Sequence, residues 1–129
     1  MIMLKDDFFS ILIHTITDKD TADFTIELNP EHTIYKAHFP NNPITPGVCI
    51  IQMAIELFSF LKQTNFKIKK IKTAKFIHPI IPTIHTAIHY QIGWEEMTQD
   101  KSSYVKIQVY QDDIIFSKIN IYMEKNRTA

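Results

Sequence analysis

The feature that most limits what this chain can fold into is the run from Gly47 to Gln63, GVCIIQMAIELFSFLKQ, which has no Pro and no Gly after its first residue and follows Pro40, Pro43 and Pro46. A stretch of this length with helix formers such as Met53, Ala54, Glu56 and Leu57 reads as a helix, and the prolines before it as a stiff, irregular approach. Apolar residues occupy most of its circumference, and Gln52, Glu56, Ser59 and Gln63, at i, i+4, i+7 and i+11, share one narrow stripe. Such a helix needs cover on nearly every side. Residues 22–28 supply some of it, because Phe24, Ile26 and Leu28 alternate with Asp23, Thr25 and Glu27 as in a half-buried antiparallel strand. Segments 10–17, 67–77, 83–92, 103–111 and 114–123 are similarly rich in Ile, Val, Tyr and Thr, with a hairpin turn at Asp112 and Asp113. The predicted architecture is α+β, one long central helix wrapped by a mostly antiparallel sheet of five to six strands. Along 83–92 the alternation puts Ile84, Ile88, Tyr90 and Ile92 on one face and leaves His85 and His89 exposed.

At 129 residues the chain is expected to form one domain over 1–129. Fourteen basic residues balance fourteen acidic ones, so no global field draws it to nucleic acid or anionic lipid. The single Cys49 sits in an apolar run, where it reads as a small buried hydrophobe and forms no internal disulfide; a reducing compartment fits. With Asp6 and Asp7 near the start and no apolar run of spanning length, a cytoplasmic protein without membrane insertion is expected. Two glycines, Gly47 and Gly93, are too few for phosphate-cradling loops. His85 and His89 lie four residues apart, about 13 Å along a strand, too far to share a metal ion. His14, His32 and His78 have no ligand spacing either, so neither metal nor cofactor is expected. Lys67, Lys69, Lys70, Lys72 and Lys75 form a dense positive cluster, read either as a solvated edge strand or as a docking patch for an acidic partner. It lacks the interleaved aromatic residues of a nucleic-acid stacking platform.

Chemistry concentrates in His38-Phe39-Pro40-Asn41-Asn42-Pro43-Ile44-Thr45-Pro46-Gly47-Val48. Prolines fix the backbone around a histidine, the side chain suited to proton transfer near neutral pH. Pro46-Gly47 then opens the helix, whose first amides lack intrahelical acceptors and sit at the positive end of the macrodipole. The Gly47 and Val48 N–H groups are therefore candidates to hold an oxyanion, and Gly47 lets a carbonyl approach closely. Gln52 and Glu56 project from the polar stripe toward the same region.

HFPNNPITPGV, followed by an apolar helix with a polar residue fourteen positions after the histidine, resembles the (3R)-3-hydroxyacyl-acyl-carrier-protein dehydratases of the FabZ type, whose motif has the form HFPxxPxxPGV. Residues 29–37 look like the lead-in to that motif, and Ala74-Lys75-Phe76 with Pro79-Ile80-Ile81-Pro82 is similar to a later strand of the family, so the likeness covers the whole chain. It implies a hot-dog fold and at least a homodimer, with His38 of one subunit facing the helix of the other. The implied reaction is conversion of 3-hydroxyacyl groups on acyl carrier protein to trans-2-enoyl thioesters, in fatty-acid or related lipid or polyene synthesis, without a cofactor. It further implies His38 as base, the Gly47–Val48 amides as oxyanion donors, and an acyl tunnel at Phe39, Pro40, Ile44, Pro46, Cys49 and Phe76. The lysine cluster becomes the expected docking patch for an acidic carrier. Gln52 stands where the family has an acidic residue, and a neutral amide does not donate a proton as a carboxylic acid does. Glu56, one turn on, is expected to supply the carboxylate, directly or through a water held by Gln52. Ala37 and Asn41 stand where glycine is usual, and Pro82-Thr83-Ile84 replaces a Pro-Gly-Asp turn. Two rival readings are an acyl-thioester hydrolase on the same fold and a catalytically weak acyl-carrier-binding partner subunit.

Overall fold

Alternating apolar and polar residues give six strands: β1 (Phe9–Asp18), β2 (Thr21–Leu28), β3 (Phe66–Phe76), β4 (Ala87–Glu96), β5 (Ser103–Gln111) and β6 (Ile114–Lys125). They form one antiparallel sheet in the order β1-β2-β4-β5-β6-β3. The computed structural model describes residues 3–37 and 41–127. Asp112 makes the β5–β6 turn with φ of 51°, left-handed backbone that Asp tolerates better than most residues.

Register aligns apolar side chains in rows across one face of the sheet. One row runs Ala22, Ile92, Ile107, Ile119, Ala74; the next runs Phe24, Tyr90, Val109, Ser117, Phe76. Against this face lies α2 (Gly47–Lys62), sixteen residues whose buried side chains include Cys49, Ile50, Met53, Ala54, Leu57 and Phe58. Each large one stabilises the fold by about 1.5–3 kcal/mol on burial. The buried Tyr90 hydroxyl donates to the Ile50 carbonyl at 2.9 Å, tying the sheet to the helix backbone. At the C-terminal end Gln63 adopts left-handed φ of 55°, and its N–H and that of Thr64 bond to the Phe60 and Ser59 carbonyls, closing the last turn.

Three sequence expectations need correction. The helical content is not a single helix, because a five-residue α1 (Thr33–Ala37) precedes the proline segment and buries Tyr35. Residues 83–86 are not strand: the chain turns there, with the Ile84 and His85 N–H groups bonding back to the Ile81 carbonyl. The turn reverses the expected faces, leaving Ile84 68% exposed and His85 buried. His89, on β4, is half-buried, its Nδ1 3.0 Å from the Thr25 hydroxyl, rather than exposed.

Candidate active site

The start of α2 is held by its approach. The Thr45 N–H donates to the Ile80 carbonyl at 2.9 Å, and the Thr45 hydroxyl lies 2.9 Å from the Tyr35 hydroxyl, both side chains buried. Burial pushes the Tyr35 phenol far above its ordinary value, so it stays neutral and serves as a hydrogen-bonding peg. Pro46 takes the N-cap position with extended backbone and no side-chain cap. Its carbonyl accepts from the Cys49 and Ile50 N–H groups, whereas those of Gly47 and Val48 have no acceptor among the described residues. These two amides stand at the positive end of a sixteen-residue helix. Phe76, at the end of its cross-sheet row, lays its ring on Gly47. A Cβ at Gly47 would come within 2.9 Å of the ring's Cζ, which explains the glycine.

One turn into α2 the polar stripe is not a solvent-facing strip. Glu56 is only 4% exposed, and its carboxylate accepts from the Leu4 N–H (3.0 and 2.8 Å), the Lys5 N–H (2.7 Å) and the Gln52 side-chain amide (2.9 Å). Val48, Gln52 and Glu56 follow at four-residue intervals and share one helix face. Ser59, further along, accepts from the Phe66 N–H at 3.0 Å and joins α2 to β3. None of these backbone donors was readable beforehand, since Leu4 lies 52 residues from Glu56.

His38, Phe39 and Pro40 lie outside the described residues. Of the other expected tunnel residues, Ile44 and Pro46 are half-buried, Cys49 is buried with its thiol pushed up by burial, and Phe76 is half exposed. A cleft of about 740 Å³ lies at the far end of α2, among Lys62, Phe66, Glu96 and Lys101, away from all of them. Val48 at the helix start, with Ile71, Phe76 and Ile77, is instead open to the outside, the four being 44–59% exposed. Three lie on or just beyond β3, an edge strand.

The lysine cluster divides. Lys67 faces Glu124 at 3.9 Å and Lys69 is bonded to Asp100, while Lys70 and Lys75 have no carboxylate partner among the described residues. Lys72 lies 5.3 Å from the centre of the Tyr104 ring, which packs at a tilt 4.8 Å from that of Tyr122. Aromatic neighbours absent from the lysine segment itself are thus brought in by β5 and β6 across the sheet.

Against known proteins, a family model for the ApeI dehydratase, ApeI-like, matches residues 14–117. The chain belongs to the ApeI-like dehydratase family. No curated protein matches it. Among solved structures, the dehydratase heterocomplex ApeI:P from Xenorhabdus doucetiae is 20% identical, with TM-score 0.74 over 88% of this chain and 95% of that one. A putative thioesterase, yhdA, from Lactococcus lactis is 10% identical, with TM-score 0.61 over 94% and 91%. The dehydratase domain of the CurF module of curacin polyketide synthase is 12% identical, with TM-score 0.55 over 93% of this chain and 44% of that one. These likenesses give the fold, a hot-dog with a six-stranded antiparallel sheet. Among the described residues no helix is long and apolar enough to cross a membrane.

Proposed function

We propose that this ApeI-like chain dehydrates (3R)-3-hydroxyacyl groups carried as thioesters on acyl carrier protein, giving trans-2-enoyl thioesters. The observation that carries this reading is the start of α2, where the Gly47 and Val48 N–H groups have no acceptor among the described residues and follow directly on HFPNNPITP. Removing the C2 proton of a thioester moves negative charge onto the carbonyl oxygen, and two amides at a helix N-terminus are suited to receive it. His38, in the proline-stiffened motif, takes that proton. The C3–O bond then breaks, C2 and C3 form the double bond, and the hydroxyl leaves as water beside the Gln52–Glu56 pair, carrying off the proton that His38 took from C2. The elimination is redox-neutral and needs no cofactor.

The acyl tunnel is completed by a second subunit against β3. Among the described residues this edge strand has no neighbour on its outer side, and Ile71, Phe76 and Ile77 beside it are exposed. Our reading is a homodimer or higher homo-oligomer. Because the ApeI:P dehydratase is a heterocomplex, a second, different chain is the competitor for the same edge in our reading. Carrier docking falls to Lys70, Lys72 and Lys75, with Lys67 and Lys69 partly neutralised by Glu124 and Asp100.

Incubation with 3-hydroxyacyl-carrier substrates of several lengths, read by mass spectrometry, tests the proposal: loss of water from the acyl group is expected, and His38→Ala should abolish it. A second reading, thioester hydrolysis, is favoured by Gln52, whose amide can orient a water, and is in keeping with the thioesterase-like fold neighbours. Release of free carrier thiol without enoyl formation would establish hydrolysis and refute dehydration.

A further inference from the structure

We infer that Glu56 is a positioning residue, clamped by the N-terminal segment, which orients the side-chain amide of Gln52. The inference rests on the reading of Gln52 as a group beside the substrate. A carboxylate only accepts, so Gln52 must turn its NH2 end to Glu56 and leave its carbonyl oxygen outward. That oxygen accepts no hydrogen bond among the described residues. Both Glu56 oxygens are already engaged: Oε1 accepts from Leu4 and Lys5, and Oε2 from Leu4 and Gln52. A carboxylate 4% exposed in a helix middle is costly without such partners, and with them it is locked in place. Substrate would have to displace a backbone N–H to touch it. The carboxylate that the dehydratase motif leads one to expect at position 52 stands instead at 56, and the two side chains act as a unit, with the charge inside, tied to Leu4 and Lys5, and the amide outside. Gln52 meets the leaving hydroxyl, and Glu56 acts on the reaction through Gln52.

The test uses the full chain in its assembled form, with two readouts. In 15N–1H spectra the Gln52 side-chain amide should show one hydrogen protected from exchange. Glu56→Gln keeps a carbonyl for the Leu4 and Lys5 N–H groups but turns an NH2 toward Gln52, forcing the Gln52 amide over; its resonance should shift and lose protection. In turnover, Glu56→Gln should lower kcat by about tenfold or more with KM within about twofold. The exchanged pair Gln52→Glu/Glu56→Gln, which matches donors to acceptors again, should bring kcat back. An unmoved Gln52 resonance in Glu56→Gln overturns the inference. So does loss of the alkaline limb of the kcat–pH profile in Glu56→Gln while Gln52→Ala stays active, because Glu56 would then be the proton donor itself. Absence of turnover in the unmodified chain sinks only the proposed function, since the amide resonance reads the Glu56–Gln52 link without it.

Discussion

Gly47 shows how much one missing side chain decides. Its Cα is where the Phe76 ring rests, and an added methyl would press on the far end of that ring at 2.9 Å. Phe76 is 49% exposed and has room to swing aside, while alanine is the better helix former, so Gly47→Ala should change stability by only about 1 kcal/mol. The methyl and the displaced ring would nevertheless stand over the two amides proposed to hold the thioester oxygen. Dehydration should therefore drop by about a hundredfold or more, measured alongside a melting curve that stays nearly unchanged. Tyr35 makes the opposite case. Its hydroxyl is buried against Thr45, whose own N–H is pinned to Ile80, so Tyr35→Phe strands the Thr45 hydroxyl and should cost about 1–2 kcal/mol in denaturant titration. A smaller loss of activity should accompany it, because the approach to α2 loosens without losing a reacting group.

Among the elements, β3 carries the most testable burden. Among the described residues it pairs with β6 on one side only, and its inward positions Ile71 and Phe76 continue the apolar rows of the sheet to an open edge. An unpaired edge with apolar neighbours invites a second chain. For the homo-oligomer proposed above, Ile71→Lys with Ile77→Lys should give monomer by light scattering and abolish activity with it, while far-ultraviolet circular dichroism is retained. The outward side of the same strand bears Lys70 and Lys75 opposite Tyr122 and Lys118. Charge reversal at Lys70, Lys72 and Lys75 should weaken carrier binding and flatten its salt dependence, leaving turnover of a small free thioester unaltered.

On the scale of the whole molecule, the long turn between β3 and β4 links the sheet to the start of α2. His85 is buried there, its Nδ1 accepting from the Ile81 N–H at 3.0 Å and its ring 4.8 Å from that of Phe116. Ile80, the neighbouring residue, holds Thr45 through its carbonyl. Burial, with a smaller effect from nearby His78, holds the His85 imidazole below its ordinary value, so the folded chain keeps it neutral. Unfolding frees it to take a proton once the pH falls below about 6.5. The stability it contributes is therefore full above that pH and is lost as the pH drops toward the folded-state value. The melting temperature should fall between about pH 7.5 and pH 5.5, and His85→Asn, which retains an acceptor, should reduce the decline.

Local pattern carried a good deal of this: the alternation of Phe24, Ile26 and Leu28, the breaker-free run after Pro46 and the Asp112–Asp113 turn are near-neighbour signals, and they located most of the strands and α2. HFPNNPITPGV was legible in the same way, as a contiguous motif that led to the dehydratase class. What the chain concealed depends on partners distant along it. Glu56 looked like one member of a polar stripe until Leu4 and Lys5, 52 and 51 residues away, supplied their N–H groups. His85 looked exposed by alternation, but a turn anchored at Ile81 carried it inward. Helix and strand periodicities report which way a side chain points along its own segment. Which backbone groups are left to satisfy a buried charge is settled only when the sheet, helix and N-terminal segment close around it.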